Sequence, residues 1–230
     1  MNKLIPAALL LSTAPAIAAD RNFGVSGFDR VRVDGDYKVT LTVGVPPYAR
    51  TTGSMRALDP VDLVVEGRTL IVRAKTSASW GGYPGESAGP VEVTIGTHEL
   101  TAAFVNGAGS LAINKVRGLK FEASAQGAGS IAIDRVEVDV FQLGLAGAAS
   151  ARLAGKALKM TAMVRGSSAL DGEGLVVKDA VIGAQGPAIV KLTATQTAKV
   201  DAIGVAAVTL TGKPSCIVTI KGSASVSGCR

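Results

Sequence analysis

Histidine, aromatic residues and cysteine are all scarce in this chain of 230 residues. His98 is the only histidine, and Phe, Trp and Tyr together make up 4% of the sequence. A zinc site draws mainly on His and Cys ligands, and a Ser-His-Asp triad needs an imidazole held against a serine. His98 lies between two β-type segments, so we interpret it as a surface or capping residue. We predict no catalytic residue, no metal site and no cofactor.

The chain also lacks a hydrophobic run long enough to cross a bilayer, which takes about 20 apolar residues. The one apolar run near the start, residues 4–11, follows Lys3 and precedes the small-residue site Ala16-Ile17-Ala18. This pattern is typical of a signal peptide, here residues 1–18, cleaved after Ala18; the alternative is a membrane anchor. We therefore expect an exported protein, periplasmic, outer-membrane-associated or secreted, with no integral membrane segment in residues 19–230.

Charge of one sign is not concentrated anywhere along the sequence. The formal net charge is +6, but the 24 Lys and Arg residues are spread among 18 Asp and Glu residues. Nucleic-acid-binding proteins usually gather their cations in a stripe. We therefore predict no nucleic-acid partner, although the mild positive charge would favour contact with anionic lipids or polysaccharides.

The two cysteines, Cys216 and Cys229, both lie close to the end of the sequence. An exported chain meets oxidising conditions, so we expect a disulfide that closes a short loop and resists fraying. Two free thiols and half of a metal site are the alternatives.

Glycine, by contrast, is abundant and periodic. A motif that begins as Gly-Ala-Gly-Ser recurs seven times, increasingly degraded, at spacings of 20, 20, 19, 20, 18 and 18 residues. The leading glycines are Gly107, Gly127, Gly147, Gly166, Gly186, Gly204 and Gly222. Most positions two and four residues before each glycine, and four and six after it, are apolar. Because these offsets are even, the apolar side chains share one face of an extended strand.

This periodicity predicts an all-β solenoid, a parallel β-helix with rungs of 18 to 20 residues. Each residue would stack on its counterpart about 4.8 Å away, with glycine at the corners where a positive φ is needed. Helical repeats are disfavoured because glycine interrupts every rung, and propeller blades are longer. We predict one domain, residues 19–230, with regular rungs over 101–230 and irregular N-terminal strands or a β-cap over 28–100.

Several segments also resemble a known family. They are residues 28–39, which begin Phe-Asp-Arg-Val-Arg-Val, the Gly-Ala-Gly-Ser repeats, and residues 212–216 and 227–229. These segments are similar to the family of the putative auto-transporter adhesin, head GIN domain, a domain of unknown function. The resemblance extends over about residues 23–230. It implies a right-handed parallel β-helix located outside the cytoplasm, and it carries no established activity.

One long loop is a candidate binding segment. Residues 76–90 show no strand pattern and hold Tyr83 and the only tryptophan, Trp80. Exposed aromatic rings can stack on sugar faces or anchor a partner. The alternative is a loop whose rings pack against the flank of the solenoid.

Clustered carboxylates would be needed if this β-helix cleaved polysaccharides. The candidates are Asp171, Glu173 and Asp179, and no acidic residue matches them one period before or after. Residues 171–174 are more typical of a turn inserted in one rung. Threonines stack only at Thr193 and Thr211, which argues against an ice-binding array.

The sequence thus favours a non-catalytic exported envelope protein, adhesin-like, structural or binding, rather than an enzyme. Its partner would be a polysaccharide or another envelope protein, and its oligomeric state is left open. The alternative function is a carbohydrate-active enzyme, a polysaccharide lyase or hydrolase, that uses a lateral groove of the β-helix.

Overall fold

The computed structural model of the chain describes residues 19–75 and 89–230. The predicted signal peptide and the predicted binding residues Trp80 and Tyr83 lie outside the described residues, so those predictions stay untested. Within the described part the protein is nearly all β, and its strands join into one sheet that stacks in about six turns. The predicted β-solenoid is confirmed.

The described elements comprise seventeen strands and one short helix. The first half contains β1 (Ala19–Phe23), β2 (Arg30–Asp34), β3 (Lys38–Val43), β4 (Tyr48–Gly53), α1 (Met55–Leu58), β5 (Val61–Glu66), β6 (Thr69–Ala74), β7 (Glu92–Thr97), β8 (Ala102–Gly107) and β9 (Ser110–Ile113). The second half contains β10 (Val116–Gly127), β11 (Ser130–Gly147), β12 (Ser150–Gly166), β13 (Ala169–Gln185), β14 (Ile189–Gly204), β15 (Ala207–Thr211), β16 (Ser215–Gly222) and β17 (Ser225–Ser227).

Neighbouring rungs of the second half pair in parallel, in the register that the glycine spacing predicts. Leu111 of β9 lies beside Ile131 of β11, and Val190 of β14 lies beside Val208 of β15. All four side chains are buried. Residues about one period apart therefore lie directly on top of each other, and their apolar side chains form one continuous core.

The corner glycines meet two separate requirements. Gly127 has a φ of +87°, a conformation that residues with a Cβ rarely adopt. A Cβ added to Gly127 would also lie 2.7 Å from the carbonyl oxygen of Gly107 in the preceding rung. That oxygen accepts a hydrogen bond from the amide of Ala128 at 2.8 Å, so it is held in place. The rungs approach so closely at this corner that only glycine fits.

Each complete turn contains three stretches that are in register with the next turn. In β11 they are residues 130–133, 136–138 and 140–147. We call the outward side chains of the first stretch, and of its counterparts in the other rungs, face B. Those of the last stretch and its counterparts are face A. Face B includes β3, β7, β9, β15 and β17, whereas face A includes β2, β6, β8 and β16.

Large side chains fill the interior between these stretches. Phe121 and Phe141 are fully buried on neighbouring rungs, with their ring centroids 5.7 Å apart in a stacked arrangement. Among the described residues, no buried side-chain nitrogen or oxygen lacks a hydrogen-bond partner. The core therefore needs no ligand to satisfy it.

Rungs of unequal length differ at the breaks between stretches, chiefly at the break that follows face B. Between β13 and β14, Gly172 pairs with Leu192 and Val176 pairs with Thr193, so residues 173–175 are extra in the longer rung. The rung is longer here, but the interpretation of residues 171–174 as a turn is wrong, because they belong to strand β13 and the extra residues only shift its register. The glycine corner keeps its geometry because the length change is taken up elsewhere.

The N-terminal strands do not stack in chain order. β2 lies between β6 and β8, and β3 lies between β7 and β9, so β6 and β7 form a layer outside the two earlier strands. Beyond that layer the pairing is antiparallel, with β5 on β6, β4 on β7 and β1 on β4. These strands follow an order that the sequence pattern did not predict.

Asp29 fixes this irregular region to the regular rungs. Its buried carboxylate accepts hydrogen bonds from Arg68 at 3.0 and 2.6 Å and from the hydroxyl of Thr101 at 3.1 Å. Arg68 belongs to the turn between β5 and β6, and Thr101 directly precedes β8. A buried carboxylate is tolerated only when it is paired in this way. The Phe-Asp-Arg segment at residues 28–30 therefore has a structural role.

At the opposite end, β16 pairs with β14 and β17 pairs with β15. Cys216 and Cys229 form a disulfide that links β16 to the chain after β17. Residues 19–75 and 89–230 contain no helix that is long and apolar enough to cross a membrane.

Candidate functional site

Face B carries mostly short side chains over much of its length, with serines and threonines interspersed among alanines. Because the strands are parallel and in register, outward residues repeat from rung to rung about every 4.8 Å. Ser110, Ser130 and Ser150 form one such row, and Thr40 and Thr94 start the neighbouring row. A surface of this kind offers hydrogen-bond donors and acceptors at a regular spacing, with few long side chains to obstruct an extended ligand.

Charged side chains of alternating sign interrupt face B near its middle. Arg152, Asp171 and Lys191 occupy equivalent positions on three successive rungs. All three are exposed. The ammonium group of Lys191 also lies 3.8 Å from the carboxylate of Glu173. The middle of face B therefore presents cations and anions side by side.

An open depression of about 470 Å³ lies at the edge of this charged row. Asp134, Arg152, Asp171 and Glu173 provide its charged lining. The floor of the depression lies where Ala154 pairs with Gly174 on the next rung, because neither residue carries a long side chain. Glu173 and Gly174, which belong to the extra residues of β13, form one wall of the depression.

The chemistry of this depression suits a ligand rich in hydroxyl groups. Carboxylates accept hydrogen bonds, and a guanidinium donates them in a planar fork that matches a carboxylate. The described residues hold no group of three or more His, Cys, Asp or Glu side chains that could bind a metal ion. The lining can therefore orient sugar hydroxyls and one acidic group through its own side chains.

The structure brings together only some of the residues that the sequence singled out. Asp171 and Glu173 share the depression, but Asp179 lies apart from it and accepts a hydrogen bond from the hydroxyl of Thr197 at 2.6 Å. His98 is exposed directly after β7. The predicted threonine pair is present, with the hydroxyls of Thr193 and Thr211 2.6 Å apart on neighbouring rungs.

Sequence reasoning missed two lining residues, Asp134 and Arg152. Asp134 and Glu173 both stand seven residues after a corner glycine, two rungs apart. A search for acidic residues one rung away could not find this pair, since Ala154 stands between them. The signal that could have found it is the shared offset from the glycine.

Comparison with known proteins agrees with the fold. The sequence model of the family described as "Putative auto-transporter adhesin, head GIN domain" matches residues 27–214. None of the curated proteins matches the chain in sequence.

Solved structures share the fold at low sequence identity. A Bacteroides fragilis protein described as a putative adhesin superimposes with a TM-score of 0.81 at 14% identity, covering 91% of this chain and 95% of its own. A putative adhesin from Parabacteroides merdae gives 0.72 at 14% identity, with 94% and 98% covered. A Parabacteroides distasonis protein described as a putative lipid binding protein gives 0.71 at 18% identity, with 94% and 98% covered.

Proposed function

The chain belongs to the family of the putative auto-transporter adhesin, head GIN domain, and from this premise we propose that it is a non-catalytic, exported binding protein of the cell envelope. Its ligand in this proposal is a polysaccharide that lies along face B and is held at the depression. The family and two of the three structures compared above are described as putative adhesins, which supports a binding role. The predicted signal peptide and a disulfide, which suits oxidising conditions, support export.

The observation that carries this proposal is the arrangement of side chains on face B. Serines and threonines stand on the rungs on both sides of the depression, separated from it in part by alanines, and Arg152, Asp171 and Glu173 are exposed within it. Extended polysaccharides present hydroxyl groups at regular intervals, and a rigid parallel solenoid presents donors and acceptors at a regular spacing of about 4.8 Å. Pre-organised groups on a rigid sheet bind at a lower entropic cost than groups on a mobile loop.

A glycan array with purified protein tests the proposal. We expect binding to at least one class of polysaccharide, and at least a tenfold loss of affinity in Arg152→Ala, because one charge-assisted hydrogen bond contributes about 1.5–3 kcal/mol. Arg165→Ala is the matched control, since Arg165 is equally an exposed arginine but lies on face A. Binding that is unchanged in Arg152→Ala and Asp171→Ala, or no binding at all, would contradict the proposal.

The same array also tests the loop that the sequence predicts as a binding segment. If Trp80 and Tyr83 contact the ligand, Trp80→Ala will weaken binding as much as Arg152→Ala does. Unchanged binding in Trp80→Ala would restrict the site to face B.

A second candidate function is a carbohydrate-active enzyme, and one observation favours it. Three carboxylates, those of Asp134, Asp171 and Glu173, line the same depression, and glycoside cleavage uses a pair of carboxylates on either side of the scissile bond. An assay for newly released sugar ends, run on every polysaccharide that binds, distinguishes the two functions. Release that disappears in Glu173→Gln while binding persists would establish the enzyme.

We further propose that the coil is right-handed, as the family resemblance implies and as parallel crossovers strongly prefer. In this proposal the antiparallel strands β1, β4 and β5 act as a cap over the N-terminal end. Their inward residues, among them Val61 and Ala49, are buried. Capping strands of this kind protect a solenoid from association through its edge.

A further inference from the structure

The last rung of the solenoid leaves apolar side chains uncovered. Val218 and Ile220 in β16 occupy the inward positions of the core, directly above Val200 and Ala202. Val200 and Ala202 are fully buried, but Val218 is 39% exposed and Ile220 is 48% exposed. Nothing among the described residues covers this pair, although it continues the apolar rows of the interior.

The same strand also has a free edge within the described part of the chain. β16 pairs along one side with β14, and no described strand pairs with its other side. Its middle, residues 216–220, contains no charged residue and three β-branched aliphatic ones. Proteins normally protect such an edge with charges, proline or a covering segment, because it readily accepts another strand.

The opposite end of the solenoid is closed, which makes this exposure specific to the last rung. There the inward residues Val61 and Leu63 of β5 and Ala49 of β4 are all buried. The two ends of the solenoid therefore differ in how far their core positions are covered. We take this difference as the sign of a docking surface.

Charge indicates what the docking surface accepts. Residues 202–230 contain Lys213, Lys221 and Arg230 and no Asp or Glu. On the neighbouring strand β14, Lys199 pairs with Ile217 and Asp201 pairs with Thr219, so cations outnumber the one carboxylate around this edge. Arg230 donates hydrogen bonds to Pro214 and Ser215, which places it beside Lys213 at the start of β16. Lys221 stands at the other end of the same strand. The uncharged middle of β16 is thus flanked by cations on both sides.

We propose that β16 is the docking edge for an extended segment of another protein that carries alternating apolar residues and acidic residues near both ends. The segment adds one strand to the sheet through main-chain hydrogen bonds, as in other cases of β-augmentation. Its apolar residues stack on Val218 and Ile220, and its carboxylates approach Lys213 and Lys221. A second copy of this chain is disfavoured, because each copy would bring the same excess of cations to the contact.

A synthetic peptide probe tests this proposal on the whole protein. The probe is the fluorescein-labelled heptapeptide Asp-Val-Thr-Val-Thr-Val-Glu, whose valines alternate and whose ends are acidic. We expect saturable binding by fluorescence polarisation, and weaker binding at high salt because the charge contacts are exposed. Two control peptides, one with lysine for both acids and one with proline for the central valine, are expected to bind at least tenfold more weakly.

Variants of the protein locate the binding site. Ile220→Asp is expected to reduce affinity for the probe at least tenfold, since it places a carboxylate on the docking surface. Ile189→Asp is the matched control, because Ile189 is similarly exposed at 51% but lies on face B. Lys221→Glu should weaken the binding of the acidic peptide and strengthen the binding of the lysine peptide. Thermal unfolding of each variant verifies that the solenoid is intact.

Three results would overturn the proposal. One is the absence of saturable binding when the protein is titrated up to about 1 mM, since a dissociation constant above this value means negligible affinity. Another is an equal loss of binding in the Ile189→Asp control. The third is sedimentation that shows a dimer for the natural sequence and a monomer for Ile220→Asp, since the occupant would then be a second copy.

Discussion

Replacing the corner glycine Gly147 by alanine should destabilise the solenoid strongly. Gly147 has a φ of +90°, and an added Cβ would lie 2.8 Å from the carbonyl oxygen of Gly127. The left-handed conformation costs a residue with a Cβ about 1–2 kcal/mol, and the shift that relieves the contact costs about 1–3 kcal/mol more. Alanine also lowers the conformational entropy of the unfolded chain, which stabilises the folded protein by about 0.4–1 kcal/mol. The free energy of unfolding should therefore fall by about 3 kcal/mol in total.

The matched control for this substitution lies three residues earlier in the same rung. Gly144 has no positive φ, and a Cβ added to it would meet only the side chain of Ser124, at an ordinary 3.6 Å. Gly144→Ala should therefore be neutral or stabilising by up to about 1 kcal/mol. Urea unfolding followed by circular dichroism measures both variants. If the two free energies of unfolding agreed within about 0.5 kcal/mol, the explanation of the glycine corner would be refuted.

Three further predictions concern the last rung, the core and the N-terminal region. Cys216→Ser removes a disulfide between residues 13 apart, so unfolding should become easier by about 2–3 kcal/mol; reductant should have no further effect on the variant. Phe141→Ala removes a fully buried ring stacked on Phe121 and should cost about 3–5 kcal/mol in thermal or urea unfolding; a loss below about 1 kcal/mol would contradict this packing. Burial, and then the charge of Asp36, raise the pKa of Tyr37 above its ordinary value. The stability that neutral Tyr37 contributes should be complete below its unfolded pKa of about 10 and be lost as pH rises through the folded pKa. The difference in phenolate absorbance between the natural protein and Tyr37→Phe measures this titration.

The regular rungs could be predicted from the sequence because a solenoid repeats the same physical requirements in every turn. The glycines mark the corners, and even offsets from them mark the inward positions, so Leu111 and Ile131 could be paired without a structure. The register follows directly from the spacing, since each rung must bring the next glycine back to the same corner.

The N-terminal order and the depression could not be predicted, for a related reason. Alternation in β2 and β6 shows that one side of each strand is buried, but it does not say which strand lies next to which. Likewise, Asp134 and Glu173 are brought to one site by the short residue Ala154 and by a register shift in β13, which no local pattern encodes. The exposure of Val218 and Ile220 could not be predicted either, because the sequence pattern of β16 alternates apolar residues in the same way as the buried rungs.

The placement of the length changes has a consequence for how such a protein can vary. One corner of every regular rung carries a glycine with a positive φ, whereas the break after face B already tolerates extra residues such as 173–175. Insertions at that break would alter the wall of the depression, while the paired stretches on either side keep their register. Descendants of one ancestral chain could therefore diverge in the ligand they recognise while the scaffold that carries the site stays the same.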